Sequence, residues 1–121
     1  MNPLSFQIQI CSNTAKGICH RVAGLPEVPM ADDETTLEQL YTRINRTLEV
    51  LREAEGKKEA FEGKEGSEVV MKAGGKEWKF TGLGYLQEFA LANFWFHMVT
   101  AYNILRKEGV PVGKMDYLGA L

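Results

Sequence analysis

Leu4, Ile8, Cys11, Ala15, Ile18 and Val22 recur at alternating steps of four and three residues. That spacing is the apolar stripe of an α-helix over residues 4–23. Gly24 supplies a stop and Pro26 forbids continuation. Phe6 and Ile10 lie off the stripe and form a second apolar patch, so the helix should have two neighbours. Residues 25–34, with Pro26 and Pro29, read as an extended linker. Thr35 with Glu38, and Thr36 with Gln39, both have capping-box spacing and open a second helix. Its apolar face is Leu37, Leu40, Tyr41, Ile44, Leu48 and Leu51. Arg43, Arg46, Glu49 and Arg52 fall on the other side, which predicts a solvated face. This helix should end between Ala54 and Gly56.

Period two replaces the helical period farther along. The Gly-, Lys- and Glu-rich residues 56–67 predict a surface loop with one anchor, Phe61. Residues 68–73 and 76–81 flank Gly74-Gly75 and predict a β-hairpin, with Val69, Met71, Trp78 and Phe80 on one side. Residues 83–108 then form one long helix with Thr81 as its N-cap. The run from Leu86 to Leu105 is apolar nearly all round, which predicts a central position. Lys107 and Arg106 suit the negative helix end, and Gly109 and Pro111 stop it. The tail after Gly109 has no helical period and should lie over the bundle. The architecture read here is mainly α: an antiparallel helical bundle with a β-hairpin inserted before the last long helix.

Composition narrows the class. The chain of 121 residues is 45% hydrophobic and 25% charged, which fits one globular domain, residues 1–121. The net charge is −2, with no basic recognition helix, and this predicts no nucleic-acid partner. No apolar run reaches the roughly 18 residues of a membrane span. The N-terminus lacks the basic start of a signal peptide, so the expectation is a soluble cytoplasmic protein. Cys11 and Cys19 lie eight residues apart on one helix. That is about 12 Å along its axis, beyond the roughly 7 Å a disulfide spans. The acidic run Asp32, Asp33 and Glu34 is read as a complement to the positive start of the second helix.

One residue invites chemistry. His97 shares a helix face with Leu86, Ala90, Asn93, Ala101 and Ile104, so its imidazole should point inward. Asn93 and Thr100 are placed to hydrogen-bond the ring, and small neighbours leave room for a pocket. His20 should face solvent. A catalytic zinc site needs three protein ligands, and the chain has two histidines. Gly74-Gly75-Lys76 is not a phosphate loop, because Val70 and Glu77 occupy its first glycine and its hydroxyl positions.

The stretch NFWFHMVTAYNILRKEGVPVGKMDYLG, residues 93–119, resembles an uncharacterised family, the domain-of-unknown-function family nineteen ninety-three. PLSFQIQ, RVAGLPEVP, DDETTLEQLYTRINRT and KFTGLGYLQEFAL carry the same resemblance. It extends over nearly the whole chain and implies membership in the DinB-like four-helix superfamily of metalloenzymes. By that resemblance the family's first helix precedes the segment matching PLSFQIQ. The chain then carries three of four helices and reads as N-terminally truncated. The superfamily's metal set resembles one histidine on an early helix and a His-x-x-x-His pair on a late one. Here Thr14 stands at the early position and His97 at one late position, with Asn93 and Ala101 as its neighbours four residues away.

These residues give three readings. In the first, the chain is a DinB-like bundle without a complete metal site, and a small ligand binds near His97, Asn93, Thr14 and Thr100; no cofactor is expected. In the second, it is a metal-dependent transferase or hydrolase holding zinc or nickel through His97. In the third, it is a homodimer or partner-binding module acting through the exposed first-helix face at Phe6 and Ile10.

Overall fold

The computed structural model describes residues 1–119. The elements run α1 (Leu4–Arg21), α2 (Leu37–Glu55), a 3₁₀ turn (Lys58–Phe61), β1 (Glu68–Ala73), β2 (Lys76–Thr81), α3 (Gly82–Gly84), a π-helical stretch (Tyr85–Ala90), α4 (Leu91–Lys107) and α5 (Lys114–Leu118). Helix α1 is central. It packs most extensively on α4 and next on α2.

The local rules explain most boundaries. Thr36 caps α2 with both halves of a capping box, its hydroxyl accepting from Gln39 N. Gly24, at φ 67°, ends α1. The hairpin pairs Val69 with Phe80 and Met71 with Trp78. Its turn residues Gly74 and Gly75 have φ of 58° and 73°, as a two-residue turn of this hand requires. Val69 and Met71 are buried, whereas Trp78, the register partner of Met71, is half exposed.

The hairpin covers the start of the last long helix. Val69, Met71, Tyr85 and Ala90 make a core cluster, flanked by Ile18, Val22, Phe80, Leu86 and Phe89. Tyr85 is wholly buried and meets Phe80 and Phe89 at ring separations of 5.7 Å each. Its hydroxyl accepts from Arg21 Nη1 at 3.0 Å. Tyr85 and Ala90 are five residues apart, which an α-helix would separate by about 140°. The π-helical stretch brings both into the core, and Leu91 N bonds back to Leu86 O. Periodicity alone predicted one uniform helix here. Loop 64–65 presses on the start of this helix, where a Cβ on Gly82 would collide with Lys64 O.

Two other expectations are corrected. The tail forms a short helix, α5, started by Asp116 accepting from Gly113 N at 2.7 Å. Arg43 does not lie on a solvated face; its side chain is 1% exposed. Its Nη1 donates to Glu34 Oε1 and to Ala31 O, each at 2.9 Å. Its Nη2 reaches Asp32 Oδ1 and Asn13 Oδ1, each at 2.8 Å. The linker therefore folds over α1 and α2 as a strap, and its carboxylates serve Arg43.

Burial costs an ion pair much of its attraction, yet removing one partner strands the other charge. Arg43→Ala should cost about 3 kcal/mol in urea unfolding, against about 0.5 kcal/mol or less for the same change at exposed Arg46. Glu34 adds a pH dependence. Burial pushes its carboxyl up, but hydrogen bonds from Gln9, its own backbone and Arg43, with the charge of Arg43, bring it below the ordinary 4.5. Its contribution should be complete above that value and fall away in acid unfolding as pH drops below it.

Candidate functional site

Three polar residues singled out from the sequence lie on the seam between α1 and α4. Asn93 Nδ2 donates to Thr14 Oγ1 at 3.0 Å. His97 Nδ1 bonds Gln7 Oε1 at 2.7 Å. Gln7 Nε2 donates to Asn2 O at 3.0 Å, which turns its carbonyl oxygen toward the ring. His97 Nδ1 is therefore the donor, and the lone pair of the neutral imidazole lies on Nε2. The edges of Phe6 and Phe96 meet the ring at centroid distances of 5.9 and 5.1 Å. Thr100 does not join this set. Its hydroxyl donates to Phe96 O of its own helix at 2.7 Å.

Gln7 is the residue that sequence reasoning missed. Gln7 and Thr14 are seven residues apart on α1, while Asn93 and His97 are four apart on α4. Both spacings keep polar residues on one helix face, so antiparallel packing pairs them in order. The polar face shared by each pair was the available signal.

The seam's donors do not suit a divalent metal. They are one imidazole, two amides and a hydroxyl, and all four side chains already bond a neighbour. Catalytic zinc sites use three histidine, cysteine or carboxylate ligands. Among the described residues no three such side chains cluster. The cysteines offer no activated nucleophile. Burial pushes the Cys11 thiol up to about 11 and raises that of Cys19.

A second feature is larger. The α1 stripe, expected to be the buried side, is the floor of an open apolar groove. Gln7, Gln9, Ser12, Thr14 and Lys16 are buried instead, while Leu4, Ile8, Cys11, Ala15 and Ile18 are only half-buried. Tyr41, Ile44 and Leu48 of α2 form one wall, and Phe94, Met98 and Tyr102 of α4 the other. Cavities of about 310, 260 and 390 Å³ follow one another along it. From Leu4 to Ile18 the floor is about 21 Å long. Phe61, the expected loop anchor, lines the far end with Ile18 and Trp95. Phe6 and Ile10 are half-buried and lie outside this groove.

A family model described as "Domain of unknown function (DUF1993)" matches residues 1–118. The crystal structure of a DinB family member protein from Shewanella denitrificans is similar, with a TM-score of 0.83 and 36% identity. The match covers 100% of this chain and 67% of that one. Curated proteins provide no match.

Two measurements test the site. Burial lowers the His97 pKa from 6.5. In an NMR titration its ring should therefore protonate below that value, and stability should fall as pH drops from 6.5 toward the lower folded value, because the unfolded chain takes the proton first. The Cys11 shift from 9.0 to about 11 is about a hundredfold in thiolate at pH 8, so alkylation of the folded protein should be slower by about that factor than after denaturation.

Proposed function

The chain belongs to the DUF1993 family, and on that premise we propose that it is an interaction module whose apolar groove is covered by a second copy of the chain. One observation carries this reading: the best apolar stripe of the central helix is left open between two apolar walls. A continuous apolar surface of this kind marks an interface on a soluble chain. The length and shape suit a helix laid in a groove.

The occupant is argued from α2. Leu37, Tyr41, Ile44 and Leu48 form a ridge at helical spacing, and Leu37 and Tyr41 are 64% and 66% exposed. That ridge is about 17 Å long, close to the length of the floor. Related by a two-fold axis, each copy sets its α2 ridge against the other's groove, so both open faces are covered at once. No reaction is assigned. The His97 seam supports a second, smaller role as a site for a neutral hydrogen-bond donor, because Nε2 forms no protein bond among the described residues. The His97 ring resonances would report such a ligand.

Sedimentation equilibrium should find a dimer at micromolar concentration. Ile44→Asp with Leu48→Asp should make it monomeric while circular dichroism keeps its helical signal. A wild-type monomer across that range would overturn the second-copy occupant, as would a dimer unchanged by both substitutions.

A further inference from the structure

A separate polar cavity of about 350 Å³ lies between the C-terminal half of α1 and residues 27–30 of the strap. Lys16, His20 and Arg21, within two turns of α1, line it with Asn13 and Glu27. Lys16 is 9% exposed, and its ammonium donates to Val28 O at 2.9 Å. Among the described residues it has no carboxylate within salt-bridge distance. Of the strap's nearby acids, Asp32 and Glu34 pair with Arg43, and they and Glu27 reach Lys16 only as charges beyond salt-bridge distance. A buried ammonium held by one carbonyl is an incompletely compensated charge.

Arg21 repeats the pattern. Its guanidinium donates to the Tyr85 hydroxyl and lies 5.9 Å from that ring's centroid, again with no carboxylate partner among the described residues. Gly17 makes this placement possible, since a Cβ there would collide with Arg21 Nη1. His20 Nδ1 bonds Leu25 O at 3.0 Å, so that nitrogen is the donor and the ring is oriented by the strap. Glu27 is exposed at the rim and is the cavity's one carboxylate. With Lys16 and Arg21 cationic and Glu27 anionic, the cavity keeps an excess of positive charge.

We propose that this cavity binds a phosphate-sized oxyanion, the head group of a small phosphorylated ligand, between the Lys16 ammonium and the Arg21 guanidinium. The partner's charge supplies what the fold withholds from Lys16, and charge-assisted hydrogen bonds from both cations hold it. The site is independent of the groove and of the oligomeric state.

Inorganic phosphate is the probe, with chloride at matched ionic strength as control. Phosphate should raise the melting temperature of the wild type by a few degrees over the control, as a ligand of the native state does. Lys16→Met and Arg21→Gln should each abolish that excess shift. Glu27→Gln removes an exposed rim carboxylate and should tighten phosphate several-fold, an outcome opposite in sign to any loss of folding. A sulfate arm should reproduce the shift and an acetate arm should give a smaller one. Equal shifts in phosphate and chloride, or a Glu27→Gln variant that binds no more tightly, would overturn the proposal. If both cation variants fail to fold, the Glu27→Gln comparison decides it alone.

Discussion

A guanidinium with a side chain 1% exposed must find its partners inside the protein, and Arg43 finds them on three segments. It sits on α2, takes Asn13 from α1, and draws Asp32, Glu34 and the carbonyl of Ala31 from the strap. Only its Nε lacks a partner. Partnering of this kind adds little net stability over an apolar contact, but it is costly to break and it fixes one arrangement. Gln9 extends the network by donating to Glu34 at 2.9 Å, and Ser12 and Thr47 pair at 2.8 Å beside it. The register of α2 on α1 and the course of the strap are thereby set together.

That network inverts the usual use of an amphipathic helix. Helix α1 places its polar side against α2 and the strap, and its Gln7 and Thr14 against α4, where each polar group has a partner. Three flanks of a helix are then occupied by polar or mixed contacts. The fourth is the apolar stripe, and it faces the groove between α2 and α4. Burial of these polar groups is affordable only because they are hydrogen-bonded. The open apolar face is the consequence of the same arrangement.

Much of the architecture was legible in the sequence because helix stops, capping boxes and glycine turns act locally. The boundaries of α1 and α2 and the pairing of the hairpin follow from Gly24, Thr36 and Gly74-Gly75. The direction in which a helix faces is different, since it depends on what packs against it. A periodic stripe marks a helix but does not say that its apolar side is covered. Arg43 read as solvent-exposed because its partners lie up to 30 residues away in sequence. The π-helical stretch was hidden for a related reason: it answers to the hairpin over Tyr85 and Ala90. Of the candidate residues, His97, Asn93 and Thr14 lie together on the seam between α1 and α4. Thr100 bonds within its own helix, because a threonine inside a helix can bond the carbonyl four residues back.

The seam and the groove make opposite chemical demands. His97 is oriented by a neutral amide and flanked by two aromatic rings, and burial disfavours its charged form. A neutral imidazole with a lone pair on Nε2 accepts a hydrogen bond, and its amide neighbour supplies no negative charge to hold a cation. The groove offers area and almost no polar atoms, so it selects by shape and apolar length. A catalytic zinc site needs three converging histidine, cysteine or carboxylate ligands, and among the described residues neither feature gathers three. What remains in quantity is apolar surface on the central helix. Its covering by a helix is the step that would give α1 the neighbour its stripe was built to meet.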